Sequence, residues 1–306
     1  MAITRFPEDK GLSARMGLTM FLLGLLYVVF VAVLFVVIKS VLFVLVLAGG
    51  LLFAQYFFSD KIALFSMGAK EVTREQAPEL HAMVERLCVM ADMPKPRVAI
   101  ANTDVPNAFA TGRTPEAAVV AVTRGIMHRL EPQELEAVLA HELSHVAHRD
   151  VAVMTIASFL GLVAGLLTRV LFYSGIYGGG FGGRDDRDGG GAAPVMVIML
   201  VSALVYVISF LLTRALSRYR ELSADRSGAI LTGAPSQLAS ALTKISGDMG
   251  RIPTRDLRKA ETVNALAFAP AVSKGFSLSS MFDTHPPLQQ RLDQLAEIEA
   301  ELGKSG

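Results

Sequence analysis

From Met16 to Ile38 the chain runs 23 residues without a charge. At about 1.5 Å of rise per residue a helix of that length crosses the roughly 30 Å hydrocarbon layer of a bilayer. A cleavable secretory leader is the competing reading, but its apolar core would be shorter. A second uncharged run, Val41 to Ser59, also begins only two residues later. Lys39 and Ser40 therefore read as the tip of a membrane hairpin. Two further apolar runs, Val151 to Thr168 and Pro194 to Thr213, flank the glycine-rich stretch 174–193 and predict a second hairpin. Arg169 lies at the far end of the third run, where its charge can snorkel to the headgroups.

Basic residues sort these four spans. Arg5, Lys10, Arg15, Lys61, Lys70, Arg149, Arg214, Arg218 and Arg220 fall on one side, against Lys39, Arg169, Arg184 and Arg187 on the other. The positive-inside rule then makes both termini cytoplasmic. Composition agrees with a membrane protein, at 52% hydrophobic residues and a mean hydropathy of +0.45. A net charge of +1 gives no electrostatic case for a nucleic-acid partner. One cysteine, Cys88, excludes an intrachain disulfide framework or a cysteine-rich metal site.

The intervening segments read as water-soluble. In residues 75–91 the apolar positions Leu80, Met83, Val84, Leu87 and Met90 follow helical spacing. Arg97 to Asn102, Asn107 to Gly112 and Ala117 to Thr123 read as short strands. Pro132 suits the first turn of a helix that continues through His141 to His145, the sequence HELSH. The stretches 238–245 and 288–302 predict two amphipathic helices near the C-terminus. The fold expected is an integral membrane protein, mainly α with a small β-sheet. Residues 1–15 form a cytoplasmic N-terminus, 16–59 the first transmembrane hairpin, and 151–213 the second, with a glycine-rich outer loop. The water-soluble part is split by that second hairpin into residues 60–150 and 214–306, and the motifs it carries make it, by resemblance, a zincin-like catalytic domain.

HELSH supplies the chemistry. On a helix, His141 and His145 lie on one face and can share one metal ion, while Glu142 reaches the water on that ion. A catalytic zinc takes three protein ligands and keeps a position for water. Glu221, in the sequence SRYRELSAD, follows the fourth span back to the same membrane face, and it is favoured as third ligand. His148 is the rival, although three ligands strung along one straight helix converge poorly. Asp225, one turn beyond Glu221, is placed to accept the remaining N–H of a metal-bound histidine. Glu142 would act as general base in hydrolysis of an amide without a covalent intermediate.

Four ordered motifs, HELSH, SRYRELSAD, NAFATG at 107–112 and THPP at 284–287, resemble those of the HtpX-type membrane zinc metallopeptidases. These are gluzincins, similar more distantly to the CAAX prenyl-protein endopeptidases. The resemblance runs from the first span to the end. It implies one Zn2+ per chain on His141, His145 and Glu221, Glu142 as base, and Asp225 behind a ligand. It also implies a multi-pass protein of the inner cell membrane that degrades membrane or misfolded proteins at the cytoplasmic face, in quality control alongside other membrane proteases. Asn107, Ala108 and Phe109 would lie on an edge strand that binds extended substrate, with His285 and Arg218 as further substrate contacts. Two alternatives stay open: a processing protease for lipidated peptides, and a non-catalytic membrane scaffold.

Overall fold

The computed structural model describes residues 10–37, 67–177, 192–249 and 286–305, with isolated positions between 46 and 65. It divides into two units. One comprises Arg15–Gln55 and Met154–Leu216; the other comprises Met1–Ala14, Tyr56–Val153 and Ser217–Gly306.

The first unit is built from parts of three long helices: α1 (Lys10–Val37), α5 (Asp150–Tyr177) and α6 (Ala192–Thr232). All three are long and apolar enough to cross a membrane. In hydrocarbon no water can satisfy the backbone, so an uncharged stretch of this length must pair its own amides and carbonyls as a helix. Phe30, Leu34, Leu160, Ala164, Ile198 and Val205 pack into a buried cluster, while Phe21, Val28, Leu200 and Leu204 face outward. Gly161 and Gly165 bring α5 against α6. A Cβ on Gly161 would stand 3.2 Å from Ser209 Oγ, and one on Gly165 3.1 Å from the Tyr206 ring. The run Val41 to Ser59, expected as the second arm of the first hairpin, lies almost wholly outside the described residues, as does most of the glycine-rich stretch.

The second unit holds a four-stranded sheet in the order β1 (Ala69–Glu71), β2 (Arg97–Ala101), β4 (Val119–Thr123), β3 (Ala108–Thr111). Strands β2 and β4 run parallel and the outer pairs antiparallel. Every residue of β4 is buried, as its unbroken VVAVT run requires of a strand covered on both faces. Strand β3 stops sooner than the sequence suggests because Gly112 turns at φ 125, so close to Ala118 that a Cβ would meet its Cα at 2.6 Å. A single 3-10 turn at Pro115–Ala117 then delays β4 until Val119.

Against the sheet pack α3 (Arg124–Arg129) and α4 (Pro132–Ala147); α2 (Pro78–Ala91) and α7 (Pro235–Met249) pack on α4, and α8 (Leu288–Ser305) on α7. On α2 the buried stripe is Leu80, Val84, Leu87, Cys88 and Ala91, with Met83 packed against it. Helix α4 lies centrally, with Val138, Leu139 and Leu143 buried in the same cluster as Val120, Leu242, Ile245, Leu295 and Ile298. Its start is fixed by Pro132 in the first turn and by Glu131 and Glu134, each side chain bonding the other's backbone. Ser240 and Lys244 of α7 also reach the Glu134 carboxylate, at 2.6 and 2.8 Å. The fourth apolar run and SRYRELSAD, read separately in the sequence, form one continuous 41-residue helix, α6.

Candidate metal centre

The helical period of α4 sends His141 and His145 to one side, and α6 brings Glu221 to meet them. Nε2 of His145 stands 3.2 Å from Nε2 of His141, 3.4 Å separates it from Glu221 Oε1, and His141 Nε2 lies 3.7 Å from Glu221 Oε2. A tetrahedral ion held at about 2.0–2.1 Å by nitrogen and oxygen donors needs its ligand atoms about 3.3–3.4 Å apart. The three groups thus form a triangle in which Glu221 turns a different oxygen to each imidazole, and its donor chemistry and near-tetrahedral spacings are those of a site for a divalent transition ion. Among the described residues this trio is the group that could hold a metal. His148 sits at the C-terminal end of α4, outside the trio, and burial pushes its pKa down to about 4.

The meeting of the two helices depends on Gly228. A Cβ there would lie 2.8 Å from the backbone nitrogen of His141 and 3.1 Å from its Cα. Any larger residue would push α6 off α4 and carry Glu221, seven positions earlier on α6, away from the histidines.

Behind the donors lie two buried carboxylates. Asp225, one turn beyond Glu221, places Oδ1 2.9 Å from His141 Nδ1. That contact puts the imidazole proton on Nδ1 and leaves the Nε2 lone pair facing the triangle. Burial lowers the His141 pKa, and the opposing pull of Asp225 does not reverse it, so the ring is neutral, as a metal ligand must be. Arg291 of α8 grips Asp225 through two bonds, 2.7 Å to Oδ2 and 2.6 Å to Oδ1, and its Nη1 is 3.9 Å from Glu221 Oε2. On the other ligand, Asp150 Oδ2 lies 2.5 Å from His145 Nδ1.

Glu142 occupies the gap between the trio and the sheet. Its Oε2 accepts the backbone N–H of Ala110 at 3.0 Å. Burial drives its pKa up to about 8; Glu221 adds to the rise, while His145 and the Ala110 bond oppose it. Strand β3 is the outer strand on this side, among the described residues. Because Thr123 donates to the Asn107 carbonyl, the alternation turns the N–H and C=O of Phe109 and Thr111 toward β4 and those of Ala108 and Ala110 away from it, with Ala108 fully buried and Ala110 partly exposed. The side chains of Asn107 and Phe109 are themselves buried, and Phe109 packs with Ala99, Val119 and Ala121. Arg218 lies on α6 one turn before Glu221, partly buried, and is not among the groups paired with the trio. His285 falls outside the described residues.

Sequence reasoning passed over Asp150, Arg220, Arg291, Gly228 and Ala110. Arg291 left a signal: it shares a helical face with the apolar Leu295 and Ile298, where a charge requires a buried partner.

Comparison with known proteins places the chain. A profile described as peptidase family M48 matches residues 74–299. The chain is 58% identical over 302 residues to "Protease HtpX homolog 1" of Streptomyces coelicolor, covering 99% of this chain and 97% of that one. It is 56% identical to "Protease HtpX homolog" of Moorella thermoacetica, covering 96% and 97%. "Protease HtpX homolog" of Pyrococcus furiosus is 42% identical, with 96% and 98% covered. Among solved structures, the crystal structure of S. mikatae Ste24p superimposes with a TM-score of 0.55 at 19% identity, covering 94% of this chain and 67% of that one. That likeness is one of fold.

Proposed function

We propose, from the premise that this chain belongs to peptidase family M48, that its metal is a single zinc ion held by His141, His145 and Glu221. The chain is a membrane metallopeptidase acting on protein substrates. The observation that carries the proposal is the convergence of two imidazoles and a carboxylate at 3.2–3.7 Å, with the Glu142 carboxyl beside them and bonded to the outer strand β3. Zinc, when bound, supplies a Lewis acid that polarises the scissile carbonyl and acidifies water.

The protein's own groups then do the following. On β3, where the Ala110 N–H is held by Glu142, the Ala110 carbonyl accepts from the backbone of an extended peptide, which tolerates many sequences because side chains are not read. Glu142 takes the proton of the attacking water as the water oxygen bonds to the carbonyl carbon. When the C–N bond breaks, the same carboxyl delivers that proton to the leaving nitrogen, giving one carboxylic acid and one amine, which then ionise to carboxylate and ammonium. Asp225 orients His141. Asn107 and Phe109 act by fixing the strand, and Arg218 and His285 contact the substrate.

The reading extends to four spans in two hairpins, with the second hairpin interrupting the catalytic domain between 60–150 and 214–306. Both termini and the site face the cytoplasm of the inner membrane, as the distribution of basic residues supports. Membrane and misfolded proteins are the substrates, in quality control alongside other membrane proteases.

The test uses the full chain in detergent micelles with dye-labelled unfolded casein. Internal cleavage is expected, lost with a zinc chelator and restored by stoichiometric zinc. Cleavage unaffected by the chelator contradicts the metal assignment. Cleavage restricted to prenylated C-terminal peptides would replace the broad substrate class with a lipidated one.

A further inference from the structure

Asp150 and Arg220 have no part in the chemistry above, yet both are buried, at 7% and 3% exposure. Asp150 is the first residue of α5. The chain reaches it through Arg149 at φ 55, a left-handed conformation uncommon for a residue with a side chain, which turns Asp150 back toward α4. There its Oδ2 meets His145 Nδ1 at 2.5 Å, and its Oδ1 is ion-paired with Arg220 Nη2. The arrangement repeats that of the other imidazole, where Asp225 stands 2.9 Å from His141 Nδ1 under the grip of Arg291. Each histidine thus turns one ring nitrogen toward the trio and the other onto a carboxylate, and each carboxylate is pinned by a guanidinium.

A buried Arg–Asp pair contributes little net stability compared with an apolar pair of similar volume. Stability is therefore a poor account of two such pairs set behind the same cluster. Arg220 is also the immediate neighbour of Glu221. One turn of α6 thus sends one side chain to the donor triangle and the adjacent one to the carboxylate behind His145.

We propose that Asp150, fixed by Arg220, is a positioning residue for His145. It accepts the Nδ1 proton, sets the tautomer whose Nε2 lone pair faces His141 and Glu221, and prevents the ring from turning. The proposal rests on the reading of the trio as a zinc site.

Zinc affinity of the full chain in detergent, measured by competition with a chromophoric chelator, tests it. Asp150→Asn and Arg220→Met each weaken zinc binding about 10–100-fold, the usual cost of losing a partner behind a metal-bound histidine. Arg220→Lys keeps the charge and recovers part of the loss. The double variant Asp150→Asn with Arg220→Met strands no buried charge and so settles the matter if either single variant fails to fold. Its zinc affinity stays reduced, and the visible bands of its cobalt(II) form differ from those of the wild type. A double variant with wild-type zinc affinity and an unchanged cobalt spectrum overturns this proposal and leaves the zinc reading standing. Wild-type protein that binds no zinc overturns both.

Discussion

Replacing Glu142 with Gln stops peptide hydrolysis while zinc remains bound. The three donor atoms belong to His141, His145 and Glu221, so the substitution leaves them in place and removes only the group that carries the proton. General acid–base catalysis contributes about 10²–10⁴-fold, and kcat should fall by at least that range with KM little changed. Zinc content and casein cleavage measured on the same preparation decide it, and retained metal with undiminished cleavage removes Glu142 from its role. The same variant has a second signature in the metal-free protein. The Glu142 pKa is raised from an ordinary 4.5 to about 8, so between those values the folded protein holds a proton that the unfolded chain has lost. This group's contribution to stability is complete below about pH 4.5 and declines as pH rises toward 8. Gln cannot ionise, and the metal-free variant is expected to melt higher than metal-free wild type at pH 8, with the gap closing toward pH 5.

Replacing Arg291 with Met should damage the protein more than any other single change behind the donors. The guanidinium is 2% exposed and makes two bonds to Asp225, a carboxylate with no exposure at all. Removing it strands that charge in the interior, a loss of about 3–5 kcal/mol. In a chain of this size that lowers the melting temperature by roughly 10 °C. The loss also frees Asp225 to move from His141, so zinc binding weakens along with the fold. Arg291→Lys keeps the charge but not the two-pronged geometry, and falls between. Thermal unfolding in detergent reads the result. A Met variant that melts with the wild type would mean that Asp225 is held by something other than this pair.

These two residues also mark where the sequence is legible and where it is not. His141, Glu142 and His145 can be read directly, because a four-residue spacing on a helix has one geometric meaning. Glu221 and Asp225 can be read because a helix following an apolar run returns the chain to the same side. The contact between Arg291 and Asp225 joins residues 66 apart and leaves no period in the chain. Its trace is an arginine on an otherwise apolar helical face. Asp150 depends on a left-handed turn at Arg149, which no glycine announces. Strand β3 is shorter than its apolar pattern because Gly112 bends against Ala118. The unbroken course of α6 is missed for the opposite reason: the arginines after Thr213 change the polarity of the helix without interrupting its hydrogen bonds.

At the centre of the account, a carboxylate from α6 and two imidazoles from α4 share one ion. Zinc per chain, measured after exhaustive dialysis of wild-type protein and of Glu221→Ala, tests this most directly. One zinc in the wild type, and a variant whose affinity falls by more than about 100-fold, beyond what losing a supporting residue costs, is the expected result. Equal zinc content in the two proteins would mean that the third ligand lies elsewhere and that the meeting of Glu221 with His141 and His145 is not the metal centre.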